Sequence, residues 1–133
     1  AQSNAIRGEN FLEANREKEG VVQLPSGLQY KILESGTGAS PRADNVVRVH
    51  YIGKLVDGTV FNNSRTAEQG EPLEVQVDEV IPGWTEALLR MKPGDRWELY
   101  IPPALAYGEQ GRGASIPPNS TLIFEVELLE IVR

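Results

Sequence analysis

Val80-Ile81-Pro82-Gly83-Trp84-Thr85-Glu86-Ala87-Leu88-Leu89-Arg90-Met91 is the stretch that decides how this chain is organised. Trp84, Ala87, Leu88 and Met91 stand at i, i+3, i+4 and i+7, the apolar stripe of a short amphipathic helix over residues 83–91. Pro82 suits the start of that helix, where its missing N–H is not needed, and Lys92-Pro93-Gly94 stops it. The surrounding region alternates like sheet, so a sheet is expected to pack against this helix. Trp84 falls in the first turn, where a large flat ring can floor a cavity as well as plug a core. A lone tryptophan is more often core, and the choice depends on the rest of the chain.

Working outward, Trp97, Leu99 and Ile101 alternate with Arg96, Glu98 and Tyr100 on the far side of the helix. Leu122, Phe124, Val126 and Leu128 alternate with Ile123, Glu125, Glu127 and Leu129. Before the helix, Leu73, Val75 and Val77 alternate with Glu74, Gln76 and Asp78, and Val47, Val49 and Tyr51 with Arg48, His50 and Ile52. Asp57-Gly58 is a hairpin turn signal leading into Val60-Phe61. Leu28 to Leu33 reads as the first strand, closed by Gly36-Thr37-Gly38. Five or six such strands make an α+β fold: an antiparallel sheet solvated on its outer face and covered by one helix on its inner face. Two loops stand out, residues 62–71 and the Gly/Pro-rich 102–120. The second has no predicted element of its own and is long enough to suggest function.

Residues 1–20 carry helix formers with a thin apolar stripe, Ala5, Gly8 and Leu12, and a C-capping Gly20. They read as a helical arm, or the stump of a longer helix, before a domain over 21–133. So narrow a stripe buries little, and a solvated spacer is expected. The chain starts at Ala rather than Met, which suggests a processed form or a fragment.

The 133 residues are enough for one domain, and an apolar share of 40% argues against disorder. A formal charge of −6 disfavours nucleic acid and anionic membranes as partners. No apolar run approaches the roughly 20 residues of a membrane-spanning helix. There is no cysteine and a single histidine, His50. Disulfides, thiolate metal sites, a Ser-His-Asp triad and multi-histidine metal sites are thereby excluded. His50 itself reads as an ordinary strand residue, and no cofactor or metal is expected.

Five motifs then name a family. Val49-His50-Tyr51-Ile52-Gly53, Asp57-Gly58-Thr59-Val60-Phe61, Val80-Ile81-Pro82-Gly83-Trp84, Ala106-Tyr107-Gly108 and Ile116-Pro117-Pro118-Asn119-Ser120-Thr121-Leu122-Ile123-Phe124 follow in the order and spacing of the FKBP-type peptidyl-prolyl cis-trans isomerases. The resemblance covers roughly residues 25–133. The arm, with Gly8-Glu9-Asn10-Phe11-Leu12 and Gly20-Val21-Val22, resembles the bacterial Mip-like (macrophage infectivity potentiator) branch. There a long helix joins the isomerase domain to an N-terminal dimerisation module, which implies a homodimeric parent. That branch has envelope and cytoplasmic members, with a lean towards the envelope here.

The resemblance implies a half-wrapped antiparallel sheet around one helix, with an aromatic box that binds proline. It puts Tyr51, Phe61, Val80, Ile81, Trp84, Tyr107 and Phe124 in the box, Ile116 on the flap beside it, and the Tyr107 hydroxyl towards a substrate carbonyl. Trp84 would be the floor. One position departs from the family pattern: the residue after Phe61 is usually Asp and here is Asn62, near-isosteric but neutral and carrying an NH₂ donor. Leu73 stands where some relatives have an aromatic, and Ser115 where some have an apolar flap residue. The implied activity is prolyl isomerisation in folding proteins, with proline-containing polypeptides as substrates and FK506- or rapamycin-type macrolides as inhibitors. A binding module or chaperone with little turnover is the alternative that Asn62 keeps open, and an aromatic sugar platform is a more remote one.

Overall fold

The computed structural model describes residues 2–63, 72–113 and 116–133. The order of elements is α1 (Gln2–Asn15), β1 (Val21–Gln23), β2 (Gln29–Glu34), β3 (Val46–Leu55), β4 (Val60–Asn63), β5 (Leu73–Gln76), α2 (Pro82–Leu88), β6 (Arg96–Ile101) and β7 (Leu122–Ile131). All strand pairs are antiparallel, in the order β1-β2-β6-β7-β3-β4, with β5 also on β3. β3 is the pivot. One of its edges runs along β7 from Val47 to Leu55, while the other is shared, β5 taking Val46–Val49 and β4 taking Ile52–Lys54.

The expected inner face is the observed core. Val47, Val49, Trp97, Leu99, Ile101, Leu122, Phe124, Val126 and Leu128 are buried, together with Trp84, Ala87, Leu88 and Met91 from the helix stripe. The helix is shorter than the stripe suggests: α2 ends at Leu88, and a turn at residues 89–90 carries Met91 into the core. Gly83 lets α2 lie close on the sheet, since a Cβ there would stand 2.6 Å from Ile101 Cγ2. The turn from Asp57 to Thr59 forms the expected hairpin, with Thr59 N–H donating to Asp57 Oδ1 at 2.9 Å and Gly58 at φ 93°.

Several expectations need correction. The described residues form seven strands rather than five or six. Val21–Gln23 is a strand of three residues, too short to show a period, and it exists because β2 offers it an edge. The first long strand is Gln29–Glu34 rather than Leu28–Leu33, and Ile32 on it is exposed. The 102–120 loop does carry local structure, a 3-10 turn at Pro103–Leu105 and a bridge between Arg112 and Ile116. Asn62 and Asn63 belong to β4, and the rest of the 62–71 loop, with Arg65, lies outside the described residues, as does Ser115.

The outer face is also not wholly solvated, because α1 lies on it instead of standing off as a spacer. Tyr100 and Ile123, both expected on the polar side, are buried there, and the Phe11 ring sits 6.0 Å from that of Tyr100. Polar contacts add to this aromatic one in holding α1. Buried Asn15 Nδ2 donates to Gln29 Oε1 at 2.8 Å, and Gln29 Nε2 donates to Leu12 O at 2.8 Å and Gln23 Oε1 at 3.0 Å. Gly8 is buried against Thr121, and Asn4 Nδ2 donates to Pro118 O at 3.1 Å. A satisfied amide network of this kind docks a helix whose apolar stripe is too thin to do so.

Candidate functional site

Three segments build the site. The first is the β3–β4 hairpin, in which Gly53 pairs with Asn62 on one side and Phe124 on the other, so Phe61 and Phe124 meet above a residue that has no side chain. A Cβ on Gly53 would lie 2.7 Å from both Phe124 Cε1 and Phe61 Cζ, which shows how closely the two rings cover it. The second is the entry to α2. Val77–Glu79 makes a 3-10 turn, Thr85 Oγ1 donates to Val77 O at 2.6 Å, and Trp84 N–H donates to Ile81 O at 2.9 Å. These bonds fix Val80 and Ile81 immediately before Trp84. The third is the 102–120 loop, closed at its base by Asn119 N–H donating to Gly108 O at 2.9 Å and at its tip by the paired Arg112 and Ile116 backbones.

Together they enclose a cavity of about 680 Å³, within the range of ligand pockets. All nine residues singled out from the sequence line it: Tyr51, Phe61, Asn62, Val80, Ile81, Trp84, Tyr107, Ile116 and Phe124. Trp84 meets Tyr51 at 5.2 Å and 76° and Phe124 at 5.2 Å and 88°, while Phe61 meets Phe124 at 5.6 Å and 90°. Such edge-to-face contacts fix the rings relative to one another, and all four line the cavity. The side chains of the described residues leave the cavity open. The indole N–H of Trp84 is buried without an acceptor among the described residues, and so is that of Trp97 in the core, so this feature does not by itself mark a site.

The polar groups sit at the rim. Asn62 Nδ2 donates to the Tyr51 hydroxyl at 2.7 Å, and Arg112 Nη1 donates to the Tyr107 hydroxyl at 2.9 Å with its guanidinium carbon 5.5 Å from the centre of that ring. Two lining residues were missed from the sequence, Glu79 and Arg112; Leu73, noted there only as a departure, also lines the cavity. Arg112 had a readable signal, a lone cation between Gly111 and Gly113 in a loop that already carried Tyr107. Glu79, next to Val80, had none. His50 is half-buried on β3 opposite Glu127 and does not line the cavity. No cluster of three or more metal-ligating side chains occurs among the described residues.

Burial pushes the Tyr51 phenol above its usual range, with the Asn62 hydrogen bond pulling the other way. Burial raises Tyr100 as well, and the adjacent Glu98 carboxylate adds to the effect. Below pH ~10 both phenols are neutral in the folded and unfolded chain and contribute no pH dependence. Above it the unfolded chain releases its protons first, so stability falls as pH rises through the raised folded values. Urea unfolding at about pH 9 and about pH 11 should show a loss of stability that Tyr51→Phe and Tyr100→Phe each reduce. An unchanged loss in both variants would show that other groups govern the alkaline limb.

Comparison with known proteins gives the family and the fold. Residues 38–129 match the family described as FKBP-type peptidyl-prolyl cis-trans isomerase, and residues 1–32 match the domain amino terminal to FKBP-type peptidyl-prolyl isomerase. The chain is 57% identical over 131 residues to the FKBP-type 22 kDa peptidyl-prolyl cis-trans isomerase of Escherichia coli, covering 98% of this chain and 63% of that protein. It is 50% identical over 133 residues to the outer membrane protein MIP of Legionella longbeachae, covering 100% of this chain and 56% of that protein. The crystal structure of FkpA from Escherichia coli superposes with a TM-score of 0.93 at 46% identity, over 98% of this chain and 60% of that one. A peptidyl-prolyl cis-trans isomerase from Pseudomonas syringae does so with a TM-score of 0.89 at 36% identity, over 99% of this chain and 96% of that one. The chain thus spans less than two thirds of the length of these two curated relatives. With the family matched across 38–129 and the aromatic cavity formed by residues of that same segment, the chain belongs to the FKBP-type peptidyl-prolyl cis-trans isomerase family.

Proposed function

We propose that the chain accelerates rotation about X–Pro bonds in polypeptides, with the prolyl ring held in the aromatic cavity and no covalent intermediate. The observation that carries this is the open cavity of about 680 Å³ walled by Tyr51, Phe61, Trp84 and Phe124. An X–Pro bond rotates through a twisted amide, and the uncatalysed barrier of about 18–20 kcal/mol makes this a matter of tens to hundreds of seconds. The planar amide is the more polar form because resonance places charge on its oxygen. A dry site removes the water that stabilises it and thereby favours the twisted form, while shape complementarity to the twisted ring adds to this. In this reading Trp84 is the floor, Val80, Ile81 and Ile116 hold the substrate, and the Tyr107 hydroxyl, which accepts from Arg112, keeps its own proton to donate to a substrate carbonyl.

Residues 21–133 are taken as the isomerase unit and 1–20 as the end of a connecting helix in a longer, dimeric parent. The name of the Legionella longbeachae relative supports a place in the cell envelope. No described helix is long and apolar enough to cross a membrane.

The test is protease-coupled isomerisation of a proline tetrapeptide, with and without an FK506-type macrolide. Turnover that the macrolide abolishes supports the reading, and absence of turnover rejects it. Asn62→Asp separates enzyme from mere binder in the same assay. The exchanged hydrogen bond to Tyr51 is worth about 0.5–1.5 kcal/mol, so kcat/KM should change by less than about tenfold. A much larger gain at unchanged macrolide affinity would favour a binding module of low turnover.

A further inference from the structure

A second, smaller cavity of about 280 Å³ lies on the opposite face of the sheet, where α1 ends. Its buried floor is Tyr100 and Ile123, which are cross-strand partners, and Phe11 and Val21 flank it. Three of the chain's four lysines line this one cleft, Lys18, Lys31 and Lys54; only Lys92 lies elsewhere. They arrive from three separate elements: the turn after α1, strand β2, and strand β3, where Lys54 pairs with Ile123.

The charges there are unusual for this protein. The chain is acidic overall, and on the sheet Arg48 and Arg96 each bind two carboxylates, from Glu74 and Glu130 and from Glu34 and Glu125. None of the three cleft lysines has a carboxylate within ion-pair distance among the described residues. Lys18 Nζ instead stands 5.9 Å from the centre of the Phe11 ring. One acidic residue, Glu98, also lines the cleft, and it accepts the Tyr100 hydroxyl at 2.5 Å. Three cations against one anion leave the cleft positive on a negative molecule, so it attracts carboxylates. Its apolar floor asks for more than a bare anion. Its volume is below the ~300–1,000 Å³ of small-molecule pockets and suits a single inserted side chain within a larger contact.

The geometry points to a docking site for an acidic polypeptide segment, one aromatic or aliphatic side chain entering between Phe11, Tyr100 and Ile123 while flanking carboxylates meet Lys18, Lys31 and Lys54. The site is separate from the aromatic cavity and shares no lining residue with it. A polypeptide could occupy it while the opposite face of the sheet holds a prolyl bond.

The probe is a proline-free pentapeptide with one phenylalanine between two pairs of acidic residues, titrated into the 133-residue chain and followed by amide chemical shifts. Shifts are expected at Phe11, Lys18, Lys31, Lys54 and Ile123 and not at the Trp84 indole, with binding weakened by added salt. An exposed ion pair is worth up to about fivefold, so Lys31→Glu with Lys54→Glu should weaken binding about tenfold or more, and Lys31→Gln with Lys54→Gln by less. Both double variants should keep their isomerase rate, which also reports that they are folded. Shifts centred on the aromatic cavity, no binding, or equal binding of a lysine-flanked version would overturn the proposal. So would equal binding of a version with alanine for phenylalanine. Octanoate binding in the cleft where the peptide does not would also overturn it, assigning the site to small amphipathic anions.

Discussion

Trp84→Ala should lower kcat/KM for a proline tetrapeptide by about 10²-fold and destabilise the fold by about 3–5 kcal/mol. The indole is buried, touches both Tyr51 and Phe124 edge-on, and comes from the helix that closes the inner face of the sheet. Removing it does two things at once. It opens the wall that separates the cavity from the core, and it admits water to the place where the proposed mechanism needs water excluded; about 2.7 kcal/mol lost from that exclusion corresponds to the hundredfold. Because the stability loss alone could silence the protein, Trp84→Phe is the necessary companion. It keeps a ring against Tyr51 and Phe124 and should retain most of the stability with part of the rate. Phe124→Ala should behave like Trp84→Ala, since Phe124 meets Tyr51, Phe61 and Trp84 in turn. Removing a rim charge, in Arg112→Ala or Glu79→Gln, should cost less than about tenfold, because exposed charges act through solvent. Folded variants of Trp84 and Phe124 that turn over at the full rate would show that the cavity is not where the reaction occurs.

Gly53→Ala tests the same cavity from beneath. Its new methyl would stand 2.7 Å from the Phe61 and Phe124 rings, well inside normal contact, and neither ring can retreat without leaving its neighbour. Overpacking of this kind costs about 1–3 kcal/mol. The rings should also tilt, so kcat/KM should fall by about tenfold, on the order of one lost aromatic contact. Urea midpoints and macrolide affinity measured together distinguish the outcomes. A variant destabilised but with unchanged kcat/KM and affinity would show that the strain is absorbed by the sheet and not by the cavity wall.

Much of this molecule is legible without coordinates because its inner face repeats. Trp84, Ala87, Leu88 and Met91 follow the helical period. Val47 and Val49, Leu99 and Ile101, and Leu122 to Leu128 follow the strand period, so helix, long strands and core could be read from spacing. The motifs added the nine cavity residues, which the fold does bring to one cavity. Periodicity has limits set by what it measures. It reports which face of an element avoids water, and says nothing of a second partner lying on the other face.

Tertiary structure alone decided the rest. Tyr100 and Ile123 alternate as outer-face residues, yet they are buried because Asn15 and Gln29 join amide to amide and bring α1 down over them. A three-residue strand at Val21–Gln23 has too few residues to show a period and is specified by the edge of β2. Glu79 and Arg112 line one cavity although 33 positions separate them in sequence; Lys31 and Lys54 reach one cleft through strand register, and the docking of α1 brings Lys18 to it. Local sequence determines which side chains seek the interior. Which distant side chains become neighbours depends on pairing between strands and on helix docking, and those are set by the whole chain folding together.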